Sequence, residues 1–130
     1  MKIIDASDQI LGRLCSKIAK ELLNGEEITV INAERSIVTG NPKSILERFK
    51  EKRDRGDPHH GPYYPRKPDK IFRRCVRDML PYKKPRGREA LKRLKVYTGN
   101  PKNLEGIKIA KSKREIESKY LTLGEISERI

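Results

Sequence analysis

Residues 2–31 read Lys2-Ile3-Ile4-Asp5-Ala6-Ser7-Asp8-Gln9-Ile10-Leu11-Gly12-Arg13-Leu14-Cys15-Ser16-Lys17-Ile18-Ala19-Lys20-Glu21-Leu22-Leu23-Asn24-Gly25-Glu26-Glu27-Ile28-Thr29-Val30-Ile31. Lys2–Asp5 is a short strand. Apolar residues at 11, 14, 15, 18, 19, 22 and 23 then repeat with helical spacing. Asn24-Gly25 supplies the stop, because glycine accepts the left-handed conformation that ends a helix. Ile28–Ile31 is a β-branched run and a second strand. Strand, helix and strand in this order form a βαβ unit, which implies a parallel sheet.

Outward from this unit the chain is more varied. Ser36–Thr39 reads as a weaker third strand, and Asn41-Pro42 as the start of a helix with Ile45, Leu46 and Phe49 inward. Glu51–Pro58 has loop chemistry, and 54–69 reads as an extended basic loop. Asp69 is expected to cap a helix over 70–80, closed by Pro81. Gly87–Lys92 reads as helix, Leu94–Thr98 as a fourth strand, and Thr122–Ile130 as an amphipathic helix with Leu123, Ile126 and Ile130 inward. Thr39-Gly40-Asn41-Pro42-Lys43 recurs as Thr98-Gly99-Asn100-Pro101-Lys102. This is one turn solution used twice in preference to a duplicated half-domain, since nothing else aligns around the copies.

The 130 residues suit one domain and not two. Charged residues make up 38% and hydrophobic ones 35%, with a net charge of +13. Such an excess opposes compaction unless a polyanion neutralises it. No apolar run approaches membrane-spanning length, and the N-terminus offers no signal-peptide core. Cys15 and Cys75 stand far apart without a CxxC pair, which points away from a disulfide scaffold or zinc ribbon and toward a reducing compartment.

The charge is localised. Residues 1–42 carry five Lys/Arg and six Asp/Glu, residues 43–102 twenty and seven, and residues 103–130 six and five. On the 70–80 helix, Ile71, Phe72, Cys75, Val76, Met79 and Leu80 take one half, and Lys70, Arg73, Arg74 and Arg77 form a stripe on the other. Like charges at these spacings repel by a few tenths of a kcal/mol per pair, so the stripe makes more sense beside phosphates. Lys83, Lys84, Arg86, Arg88, Lys92, Arg93 and Lys95 continue it, with prolines and glycine that suggest a stiff, extended arm. Arg66, Lys67, His59 and His60 extend the surface. Nucleic acid is favoured over membrane, because the apolar face is explained as core. No zinc finger, basic zipper, helix-turn-helix or RNP signature is present, which favours folded RNA read by shape.

Catalytic readings are weaker. Glu34 stands 22 residues after Gly12, where a ribose-binding acid would sit in a dinucleotide fold. The turn before the helix has one glycine where the fingerprint needs three, and two acids that would repel a phosphate. His59-His60 could ligate a metal, but lack further ligands at workable spacing. Cys15 and Cys75 fall on apolar helix faces and read as small core hydrophobes before nucleophiles. Tyr63 and Tyr64 could stack on bases or pack over the loop. No cofactor or metal is expected.

Several motifs in order resemble the universal large-subunit ribosomal protein L-thirteen family. They are Asp5-Ala6, Ile10–Leu14, Ala19–Gly25, Val30–Glu34, Val76–Pro81, Arg86-Gly87, Ala90-Leu91, Leu94–Gly99 and Thr122–Ile126. The insert His59–Pro62 through Arg66–Pro68 is similar to the archaeal and eukaryotic branch. The resemblance implies a non-enzymatic α/β protein: a three-layer α/β/α single domain with a four-stranded parallel sheet plus a basic loop and helix extension. It implies a cytoplasmic, ribosomal component, a monomer within the large subunit, that binds ribosomal RNA beside neighbouring ribosomal proteins and acts early in assembly. Residues 70–95 would be the main contact segment. Eukaryotic relatives suggest messenger RNA as a further partner. A nucleotide-using enzyme stands as the rival from another class.

Overall fold

A computed structural model describes residues 2–54, 67–107 and 119–129. The opening unit forms as expected: β1 (Lys2–Asp5), α1 (Leu11–Leu23) and β2 (Ile28–Ile31). β1 and β2 pair in parallel, Lys2 opposite Ile28 through Asp5 opposite Ile31. Leu11, Leu14, Cys15, Ile18, Ala19 and Leu22 of α1 are buried, and Leu23 packs against them. Fully burying one such aliphatic side chain contributes about 1.5–3 kcal/mol. The helix ends as its sequence requires. Gly25 has φ +94°, its N–H donates to Leu22 O, and Glu26 N–H donates to Glu21 O. That pair of bonds is a Schellman closure.

β4 (Leu94–Val96) pairs in parallel with the other side of β2, Ile28 opposite Leu94 through Val30 opposite Val96. β2 is therefore the central strand, and all four of its residues are buried. A strand covered on both faces and both edges explains an uninterrupted β-branched run without alternation.

The sheet has three parallel strands in the order β1-β2-β4, not four. β3 (Ile37–Thr39) pairs antiparallel with β5 (Tyr120–Thr122), as a separate two-stranded sheet. The reason is connection length. Only residues 32–36 separate β2 from β3, and a parallel crossover needs about a dozen. That short link instead forms a left-handed residue, Asn32 with φ +56°, and a 3-10 turn over Ala33–Arg35. On the far side of β1 the described residues add one parallel bridge, Ile4 to Ile107.

Other boundaries also shift. α2 (Pro42–Asp54) runs through Glu51–Asp54, against the expectation of a loop there. Glu, Lys and Arg are good helix formers, and the first breaker is Gly56. Asn41 Oδ1 accepts the Lys43 N–H at 3.0 Å and caps α2 as expected. α3 (Pro68–Asp78) starts before residue 70. Lys67 occupies the cap position and Pro68 the first turn, which leaves Asp69 beside the positive end of the helix and not at its cap. Because α3 stops at Asp78, Met79 falls in a turn and is 42% exposed, against the expectation that it faces inward. α4 (Pro85–Lys92), β4 (Leu94–Val96) and α5 (Leu123–Arg129) follow. Leu123 and Ile126 are buried, while Ile130 lies outside the described residues. One apolar cluster draws on β1, α1, β2, α2, α3, α4, β4, β5 and α5.

Candidate nucleic-acid interface

The site is built on α3, the turn after it, and α4. Ile71, Phe72 and Val76 anchor α3 in the core, and Ala90 and Gly87 anchor α4. The expected extended arm over 81–88 is a turn and a helix. Tyr82 N–H donates to Leu80 O, and Lys84 N–H donates to Pro81 O. Pro85 sits in the first turn of α4 with the extended Lys84 as cap. Gly87 makes this compactness possible: a Cβ there would stand 2.0 Å from the Pro81 carbonyl oxygen.

The cations on this scaffold separate by direction. Arg73 points inward, where Nη1 donates to Leu94 O at 2.8 Å and Nη2 to Leu91 O at 3.3 Å. Burial lowers its pKa from the ordinary arginine value. Arg93 Nη2 donates to Leu22 O at 2.6 Å, and Arg86 Nη2 reaches Leu23 O at 3.5 Å. Leu22 and Leu23 close α1, and Leu91 lies in the last turn of α4. These guanidinium groups therefore sit at the negative ends of helices, where cations are stabilising. Arg77 lies over the Tyr82 ring, 4.5 Å from its centroid, with Nε 3.8 Å from Asp78 Oδ1.

Lys67, Lys70, Lys83, Lys84, Arg88, Lys92 and Lys95 are exposed, and none makes an ion pair among the described residues. Arg86 is exposed as well, its bond to α1 notwithstanding, and Arg74 is half-buried. Helical geometry accounts for the division along α4 and its C-cap residue Arg93. Residues 86 and 93 lie about 20° apart around the axis, facing the end of α1, and residues 88 and 92 about 40° apart on another side. His59, His60 and Arg66, with Tyr63 and Tyr64, lie outside the described residues. The clamping roles of Arg73 and Arg93 were not visible in the sequence, because their acceptor carbonyls are 18 to 71 residues away.

The residues behind the dinucleotide reading have structural work. Glu34 Oε2 accepts the Gly99 N–H at 2.8 Å and holds the turn after β4. Asp5 Oδ1 accepts the Ser7 N–H at 2.9 Å and an Asn32 Nδ2 proton at 3.1 Å, filling the turn where a pyrophosphate would lie. The repeated turn shows the same start and different sequels. Gly40 and Gly99 both have positive φ. Asn41 caps a helix, whereas Asn100 exchanges two bonds with the Leu104 backbone and residues 101–107 form no helix. Among the described residues no group of three His, Cys, Asp or Glu could hold a metal ion, and no helix is long and apolar enough to cross a membrane.

A basic α/β protein with a cationic face built on two short helices defines a class, and comparison with known proteins places the chain within it. The profile of the family described as Ribosomal protein L13 matches residues 1–103. Large ribosomal subunit protein uL13 of Archaeoglobus fulgidus is 52% identical over 96% of this chain and 84% of its own length. The proteins of the same name from Methanocaldococcus jannaschii and Methanosarcina barkeri are 49% and 47% identical, each over 100% of this chain and 97% of their own length. The chain belongs to the ribosomal protein L13 family, whose members are structural ribosomal proteins and not enzymes.

Proposed function

We propose that this chain is a structural constituent of the large ribosomal subunit that binds ribosomal RNA and joins the subunit early in assembly, in the cytoplasm. The observation that carries the RNA-binding part is the row of exposed cations Lys67, Lys70, Lys83, Lys84, Arg88, Lys92 and Lys95 on α3, α4 and the segments flanking them. Each phosphate neutralised releases a counterion, so affinity should fall steeply with salt. In this reading Arg74, Arg77 and Arg86 border the contact. Arg73 and Arg93 hold the helices that present it. Arg66, His59 and His60 extend it from the segment before α3. Residues 1–130 act as one three-layer α/β/α domain with a basic loop between α2 and α3, and the shared apolar cluster supports the single domain. Neighbouring ribosomal proteins are its other partners, and no observation favours messenger RNA.

Two measurements test it. Sedimentation of native extract should place the protein with large subunits after a moderate salt wash. Residence at the top of the gradient, insensitive to ribonuclease, would sink the ribosomal reading. Binding of purified protein to large-subunit RNA should show a log–log salt slope that flattens by about one unit per lost contact in Lys83→Ala, Lys84→Ala and Arg88→Ala. An unchanged slope in the triple variant means that this face is not the contact. Incorporation of pulse-labelled protein into the earliest subunit precursors tests the assembly role, and first appearance in mature particles overturns it.

A further inference from the structure

The two cysteines, 60 positions apart in the sequence, lie on α1 and α3, which pack against each other. Cys15 is fully buried and Cys75 half-buried, and both are free thiols. Cys75 packs against the apolar cluster that contains Cys15. Cys75 also lines an open cavity of about 190 Å³, with Leu11, Gly12, Val38, Arg48, Phe49 and Lys52 as its other walls. A Cβ on Gly12 would meet nothing within 4 Å, so the space beside it is open. Cys75 thus lines a cavity that carries two cationic side chains and includes the first turn of α1, and Cys15 lies one turn further along that helix.

We propose that Cys75 and Cys15 form an oxidisable dithiol site, in which a hydroperoxide reacts at Cys75 and Cys15 resolves the product to an intrachain disulfide. In the first step the Cys75 thiolate attacks one peroxide oxygen. The S–O bond forms, the O–O bond breaks, and the other oxygen leaves with a proton as water or an alcohol. In the second step the Cys15 sulfur attacks the Cys75 sulfenic acid. The S–S bond forms, the S–O bond breaks, and the hydroxyl leaves as water with the Cys15 proton. The dithiol loses two electrons and two protons, and the peroxide gains them.

The electrostatics support this division of roles. Interaction with Cys15 draws the Cys75 pKa below the ordinary thiol value. Lys52 of α2 acts in the same sense, while burial and Asp78 on α3 oppose it. Burial pushes the Cys15 pKa well up, as does its interaction with Cys75. A lowered thiolate beside a raised thiol is the arrangement of an attacked and a resolving cysteine. The site is independent of the RNA-binding reading, and its chemistry can be followed on the purified chain.

The test treats the reduced full chain with hydrogen peroxide and maps its peptides by mass spectrometry without reduction. A monomeric Cys15–Cys75 disulfide, reversed by dithiothreitol, is expected. In Cys15→Ser, Cys75 should accumulate sulfenic acid that a dimedone probe captures. In Cys75→Ser, Cys15 should oxidise about tenfold more slowly than Cys75 does in the wild type. Circular dichroism of each variant confirms that it folds. Two thiols still alkylatable after peroxide has fully oxidised free glutathione would overturn the proposal. So would a disulfide that forms only between chains, or equal reactivity of Cys15 in the Cys75→Ser variant.

Discussion

Residues 2–31 hold a helix whose apolar positions all turn to the core and whose end is closed by its own Gly25. Residues 67–95 hold two helices, and the ends of α1 and α4 receive guanidinium groups from elsewhere in the chain. The first region is nearly self-sufficient: its stop signal, period and strands are all local. The second is built by long-range contacts, and its cations do two kinds of work. Those whose stems reach a helix C-terminus or the β4 carbonyl hold the fold. Lys67, Lys70, Lys83, Lys84, Arg88, Lys92 and Lys95 project elsewhere and remain exposed. Positive charge alone does not identify a phosphate contact, and direction decides between the two roles.

The sharpest way to break this distinction is at Gly87. An added methyl would overlap the Pro81 carbonyl, and that carbonyl is backbone that cannot swing aside. Gly87→Ala should destabilise the protein by about 3 kcal/mol, as overpacking of a tight site does. Denaturant unfolding checks this, and the RNA affinity of the folded fraction should also fall, because Lys83 and Lys84 belong to the displaced turn. A stable variant with unaltered affinity would show that the turn does not position the cations.

Arg73→Ala and Arg93→Ala come next. Each removes charge-assisted bonds to backbone carbonyls, worth about 1.5–3 kcal/mol. The expected result is lost stability with an RNA salt slope close to that of the wild type. Lys83→Ala, Lys84→Ala and Arg88→Ala should do the converse, leaving stability within about 0.5 kcal/mol. If Arg73→Ala flattens the slope while stability holds, the inward and outward classes collapse into one.

The same division explains what was legible beforehand. The α1 period, the Asn24-Gly25 stop and the β-branched β2 rest on local rules, and the structure agrees with each of them. The three-stranded sheet was not legible as such, because β3 has strand composition and only its five-residue link to β2 forbids the parallel pairing. β5 is three residues long and was hidden in the approach to α5. The basic segment was legible as a surface but not as a sorted one. A guanidinium that ends on a distant carbonyl has the same sequence signature as one that ends in solvent.

Glu34→Gln separates the fold role of that residue from the nucleotide role. The amide oxygen can still accept the Gly99 N–H, so the loss should be about 1 kcal/mol or less. Thermal shift with dinucleotides should show no protection in either protein, and protection in the wild type alone would restore the enzyme reading.

The smallest effect belongs to the self-sufficient region. Lys2 Nζ stands 2.8 Å from Glu21 Oε1, tying β1 to α1 at the surface. The bond to Glu21 raises the lysine pKa above its ordinary 10.5. A folded-state pKa above the unfolded one favours the folded state while the lysine is charged. That contribution is complete below the unfolded value and fades as pH rises through the folded one. Both side chains remain partly exposed, so salt should screen the pair and little stability should depend on it. Glu21→Gln should therefore leave Tm nearly unchanged at neutral pH and remove only an alkaline, salt-sensitive component visible above pH 10.5. A large loss at neutral pH would mean that the opening βαβ unit leans on an ion pair as well as on its core, and that it resembles the basic segment more than its sequence indicates.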